Sequence, residues 1–347
     1  MTEKHKRFEE LDALRGIAAL FVVFFHFTMG RTEYNTIFKL GTTGVDLFFI
    51  ISGFVIFMSL EKISKGRDFV INRISRLYPT YWAVVSFTFL LHFYTEYKGK
   101  LTLTDLLVQF LGNLTMFQFY LRLPDLDGPY WTLIIEMLFY IAIFLLFKIK
   151  WLKYLNIIGI VLCSSMVLLT HYFGGTQLIN QIIYFIPLFQ FLPLFLVGTV
   201  FYKIYTKKEK LVQNYLVVVF CLLCQIALYP YAGRSNGFIN WTEYSFMLVA
   251  YFGIFTLFVN NSLTFIVNRT TLFLGKISYA LYLVHQYISL SFIIPLFYNQ
   301  LELNFWVVTI LINLPIVIGL ATIITYKIEA PYSKLMKEKL RTTRGLR

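Results

Sequence analysis

Arg15 and His26 stand in one apolar run, Leu11-Asp-Ala-Leu-Arg-Gly-Ile-Ala-Ala-Leu-Phe-Val-Val-Phe-Phe-His-Phe. Eleven helical steps make three turns plus about 20°, so both side chains share a face, roughly 16 Å apart along the axis. A guanidinium and a titratable ring are costly in lipid, and such pairs face a protein-lined pathway. Asp46 and Glu136 also sit inside apolar runs. A carboxylate bonded to one imidazole nitrogen fixes the tautomer and leaves the other nitrogen to take a proton, a general-base arrangement. The competing reading makes His26 a packing residue with an incidental partner.

Arg73 and Arg76 are i and i+3, hence on one helical face. Arginine forks suit phosphate, so together with Arg15 they could hold a phosphorylated ligand. Positive-inside anchoring is the plainer alternative for them. Ser278, Tyr282 and His285 form an i, i+4, i+7 stripe with Tyr279 beside it. The stripe either lines a cavity or makes a polar seam between helices. Glu329, in Tyr326-Lys-Ile-Glu-Ala-Pro331, is placed to meet a basic residue. His92 and His171 fall near span ends and His5 in the N-terminal tail. Cys221-x-x-Cys224 lies in an apolar run and reads as small helix residues rather than a redox or metal pair. No Gly-rich phosphate loop, metal-ligand cluster or Gly-x-Ser-x-Gly elbow is apparent, so no metal is expected.

The elements that must position these groups are apolar helices. The 347 residues are 58% hydrophobic and 14% charged, against about 25% charged in a soluble chain. The composition predicts an all-α, polytopic integral membrane bundle. Ten spans are expected, at about 10–29, 42–60, 78–95, 130–148, 152–172, 181–202, 211–229, 242–260, 277–298 and 304–326. The first run lacks a small-residue cleavage site and reads as a retained span. Residues 104–121 read as an interfacial or re-entrant helix.

With the N-terminus in the cytoplasm, 24 of the 31 Lys and Arg fall in cytoplasmic segments and six in outer loops, Arg15 being the remaining one. That split places both termini inside. It excludes a nucleic-acid binder, which would gather the +13 charge in one basic domain. Residues 1–333 are expected to form one transmembrane domain and 334–347 a short basic cytoplasmic tail on the inner leaflet. On this topology Arg15 is near the inner side, and His26, Asp46 and Glu136 share the outer half.

Six stretches, in order, resemble the membrane acyltransferase-3 family: Leu11-Asp-x-Leu-Arg15-Gly followed by His26; Gly44-Val-Asp46-Leu-Phe-Phe-Ile-Ile-Ser52-Gly53-Phe; Arg73-x-x-Arg76-x-Tyr-Pro; Trp131-Thr-Leu-Ile-Ile-Glu136; Gly275-Lys-Ile-Ser278-Tyr279-x-Leu-Tyr282-Leu-x-His285; and Glu329-x-Pro331. Family members often carry a second acid after the Glu, where this chain has Met137. Many append an outer hydrolase-like domain; this chain looks like the stand-alone form. The resemblance implies acyl transfer from cytoplasmic acyl-CoA, acetyl-CoA being the expected donor, to a hydroxyl of a surface or lipid-linked glycan. It implies residence in a bacterial cytoplasmic membrane. In that frame His26 is the base, Asp46 or Glu136 orients it, and Arg15, Arg73 and Arg76 hold the donor. An acyl-His intermediate stays open, as does acylation of a small metabolite at the cytoplasmic face. The rival reading is a transporter or flippase for a glycan or anionic solute, although no paired repeats are visible.

Overall fold

The computed structural model describes residues 8–61, 63–96, 102–207, 210–231, 233 and 235–342. His5, Lys98, Lys100, Arg234 and residues 343–347 lie outside the described residues. The described chain is helical, without strands. Its α-helices are α1 Glu9–Thr28, α2 Gly44–Leu60, α3 Gly66–Glu96, α4 Leu103–Asn113, α5 Trp131–Lys148, α6 Leu155–Phe173, α7 Gln177–Phe185, α8 Leu192–Lys207, α9 Leu211–Ala227, α10 Trp241–Val259, α11 Arg269–Ile288, α12 Leu314–Ile324 and α13 Ala330–Thr342. Among the described residues, seven helical stretches are long and apolar enough to cross a bilayer: Glu9–Thr28, Phe38–Leu60, Gly128–Lys148, Leu152–Phe173, Trp241–Val259, Arg269–Gln300 and Val307–Thr342. Leu192–Thr206 and Leu211–Ala227 are apolar but shorter.

Two local features depart from the sequence reading or sharpen it. The single span expected over 181–202 is two helices. α7 stops at Phe185, and a 3-10 turn over Pro187–Gln190 precedes α8. Proline has no N–H and drives its predecessor out of the helical region; Ile186 sits at φ −133°, ψ 73°. Residues 104–121 contain only α4, whose 11 residues reach about 16 Å, half a hydrocarbon core of about 30 Å. Its start is set by a capping box in which Thr102 accepts from Asp105 N, and the Asp105 side chain accepts from Thr102 N.

The chain divides into two compact units. The first comprises Met1–Phe25, Gly30–Lys62 and Leu138–Lys276. Its tightest pairing is α2 against α8. A Cβ on Gly53 would stand 2.1 Å from the Phe195 carbonyl oxygen, and one on Gly198 2.1 Å from the Ile50 oxygen. Each glycine therefore seats the other helix's backbone, the small-residue device of helix pairs in lipid. Aromatic rings close the contact on either side: Phe49 against Phe191 and Phe195, and Phe54 against Tyr202.

The second unit comprises His26–Met29, Ile63–Met137 and Ile277–Arg347. α13 packs along α3, where Arg67 Nη2 donates to Leu340 O at 2.6 Å and Arg341 lies 4.0 Å from Asp68. Residues 334–342 of the expected tail are thus the end of α13. π-helical turns interrupt the late helices over Ser289–Ile293, Pro295–Gln300, Val307–Asn313 and Thr325–Glu329.

Replacing Gly198 with Leu should force α2 from α8 and lower stability by about 1–3 kcal/mol, the usual penalty of overpacking. A thermal melt of the purified protein in detergent checks this. An unchanged midpoint would mean that the helices are not held at backbone contact.

Candidate active site

The polar stripe of α11 is buried along its length. Ser278, His285 and Ser289 have no exposed surface and Tyr282 is 7% exposed. Neighbours in the second unit meet it group by group. The hydroxyls of Thr132 and Tyr282 lie 2.9 Å apart, and Pro129 O stands within reach of both, 3.0 Å from Thr132 Oγ1 and 3.3 Å from Tyr282 Oη. Ser289 Oγ donates to Asn313 Oδ1 at 2.9 Å. His285 Nε2 is 3.0 Å from His26 Nδ1, the rings nearly edge to face. These bonds tie the stripe to the elements packed against it. A buried polar group left unmet costs about 1–3 kcal/mol, more than a made bond returns, so the side chains on this face are strongly held to their partners.

His26 is half-buried and His285 fully so. Tyr279 Oη donates to Leu77 O at 3.1 Å, tying α11 to the turn of α3 that bears Arg76. From Tyr279 to His285 is about 9 Å of helix rise. Arg73 is buried, its guanidinium 5.7 Å from the Phe69 ring centre, and Arg76 is half-buried. Glu136, on α5, is half-buried. Glu329 ends the π-helical turn that packs on α3, with Oε2 buried.

The other sequence candidates fall in the first unit. Arg15 lies 4.0 Å from Asp12, one turn away on α1. Asp46 has no exposed surface, and neither carboxylate oxygen accepts a hydrogen bond among the described residues. It sits in the first turn of α2, where the helix dipole favours an acid. Thr43, immediately before α2, has its hydroxyl 2.8 Å from Tyr251 Oη. Nδ1 of His26 meets the imidazole of His285.

Sequence reasoning passed over Asp127. Its Oδ1 accepts from Gly128 N at 2.7 Å and its Oδ2 from Tyr287 N at 3.1 Å. The carboxylate thereby pins the turn before α5 to α11, two residues past His285. Gly128 allows the approach: a Cβ there would stand 2.3 Å from Gln286 Oε1. Tyr287 stacks on His92 and its hydroxyl is 2.8 Å from Thr95 Oγ1. Asn113 ties down the loop by donating to Pro124 O and accepting from Leu126 N. The Asp-Gly-Pro run is a turn signal, and nothing in it points to a partner on α11. Cys163, Cys221 and Cys224 are free and buried. No group of three or more His, Cys, Asp or Glu is placed to hold a metal among the described residues.

Residues 8–326 match the acyltransferase-3 family model, described as an acyltransferase domain. The chain belongs to that family and is an acyltransferase of membrane-helix type. It is 27% identical over 287 residues to "Putative acetyltransferase ORF330" of Acidianus two-tailed virus, covering 78% of this chain and 80% of that protein. No solved structure matches the chain.

Burial raises the carboxyl of Asp127 from the ordinary 3.8 to about 7, against the lowering effect of the bonds from Tyr287 and Gly128. The folded chain then holds a proton that the unfolded chain releases between about pH 4 and about pH 7, so the Asp127 contribution to stability falls as pH rises through that window. The melting temperature of Asp127→Asn should decline less over the same range than that of the parent. Parallel curves would show that this carboxyl does not titrate with folding.

Proposed function

We propose that this protein is a membrane O-acyltransferase that moves an acyl group, acetyl in the simplest case, from cytoplasmic acyl-CoA to a hydroxyl of a surface or lipid-linked glycan. The carrying observation is the seat of His26: a half-buried imidazole in a family signature, held at Nδ1 by a buried partner. The charge split between loops supports cytoplasmic termini and ten spans. Arg73 and Arg76 grip the nucleotide phosphates by charge-assisted bonds. The pantetheine arm then runs past Tyr279 toward His26, a course supported by the Tyr279 bond to Leu77 and the short rise to His285.

In the reaction, His26 removes the proton of the acceptor hydroxyl as its oxygen attacks the thioester carbonyl. The C–O bond forms and the C–S bond breaks. The thiolate leaves and takes the proton back from His26, regenerating the base. Glu136, on the helix that follows the Asp127 turn, is the carboxylate we assign to the acceptor end of the site.

Purified protein given labelled acetyl-CoA and a cell-envelope glycan should yield labelled glycan, which a transporter would not produce. His26→Ala should lower transfer by at least ~10²-fold with insertion intact. Wild-type rates from a well-folded His26→Ala protein would overturn the base assignment. Arg76→Ala should weaken acyl-CoA binding by about 10-fold or more, since a charge-assisted bond is worth about 1.5–3 kcal/mol. An unaltered affinity would remove the phosphate role.

A further inference from the structure

The bond between the two histidines has a direction, and the backbone of α11 sets it. Nδ1 of His285 lies 3.1 Å from Leu281 O and 2.9 Å from Tyr282 O. Carbonyl oxygens only accept, so that nitrogen carries a hydrogen shared between them. A neutral imidazole has one N–H, and His285 Nε2 therefore presents its lone pair. The atom it faces at 3.0 Å is His26 Nδ1, so the hydrogen in that bond belongs to His26. The reverse direction would need an imidazolium at position 285. That ring has no exposed surface, and its hydrogen-bond partners among the described residues are two carbonyls and an imidazole. A full charge buried without an anion is far more costly than the neutral arrangement.

We propose that His285 is a positioning residue that holds His26 in its Nδ1–H tautomer, so that the lone pair available for proton transfer is the one on His26 Nε2. This deepens the reading of His26 as base and rests on it for the catalytic consequence. The same bond serves both states of the reaction. When Nε2 takes the acceptor's proton, His26 becomes an imidazolium whose Nδ1–H already points at the His285 lone pair, and no group has to turn. A carboxylate performs this duty in serine hydrolases by accepting from the base's Nδ1–H. Here a neutral ring does so, and it brings no second charge into an apolar surrounding.

The test separates tautomer from catalysis. The chain has five histidines, so protein labelled with ¹⁵N-histidine and held in nanodiscs gives a short list of ring signals. Those of His26 are assigned by their loss in His26→Gln. In the parent protein His26 should show a protonated Nδ1 and a bare Nε2. His285→Leu removes the acceptor and should shift His26 toward the Nε2–H form. It should also lower kcat by on the order of 10²-fold, with KM for acetyl-CoA changed much less. His285→Gln keeps an amide oxygen where the lone pair was, and should recover most of the tautomer preference and part of kcat.

A parent protein with hydrogen on His26 Nε2 would overturn the inference. So would a folded His285→Leu protein that keeps both tautomer and kcat. If His26→Ala stays active while the parent spectrum shows Nδ1–H, the base assignment fails and the tautomer stands. If His26→Ala is inactive while the spectrum shows Nε2–H, the reverse holds.

Discussion

A polar side chain on a buried helix face must find its partner inside the protein, and this constraint organises the second unit. The inner face of α11 and the π-helical turn after it carry hydroxyl, phenol, imidazole and hydroxyl in turn. Thr132 meets Tyr282, His26 meets His285 and Asn113's loop delivers Asp127 to the Tyr287 amide, while Asn313 meets Ser289. Because each unmet group would cost more than a made bond returns, the contacts act together to set the rotation of α11. The seat of His26 follows from that rotation.

The late helices show how such a face is kept in register. Ser289 opens one π-helical turn and Asn313 closes another, and their side chains bond to each other. A π turn inserts a residue and shifts the face beyond it. Glu329 ends a further turn of this kind. Polar residues thus stand where the helical period changes. In the first unit the organising device is different. Gly53 and Gly198 bring α2 and α8 to backbone contact, so the pairing rests on close packing rather than on polar bonds. Asp46 is a buried acid placed at the start of α2.

Much of this was legible in advance. Apolar runs marked most of the long helices, while the first half of α3 carries Arg67, Asp68, Arg73 and Arg76. The i, i+4, i+7 spacing of Ser278, Tyr282 and His285 marked a polar face. The basic pair Arg73 and Arg76 was visible as one face of α3. What failed to show was local or long-range. Pro187 reads as a tolerable residue in an apolar run, yet it ends α7 at Phe185. His285, which meets His26, lies 259 positions away, and no spacing rule connects them. Asp127 resembles a turn residue because its first bond is local; the second, to Tyr287, is 160 positions away.

The sequence by itself determined that this chain is helical, membrane-like and built on the acyltransferase-3 motifs, since hydropathy, periodicity and short motifs are properties of neighbouring residues. Tertiary structure alone decided that His26 Nδ1 comes within hydrogen-bond distance of His285 Nε2. Asp46 and Glu136 were expected near His26 because they share its depth along their spans, and depth says nothing of which helix faces turn toward one another. That choice depends on how far α11 is turned about its axis, and the turn is set by the whole line of bonds along its buried face.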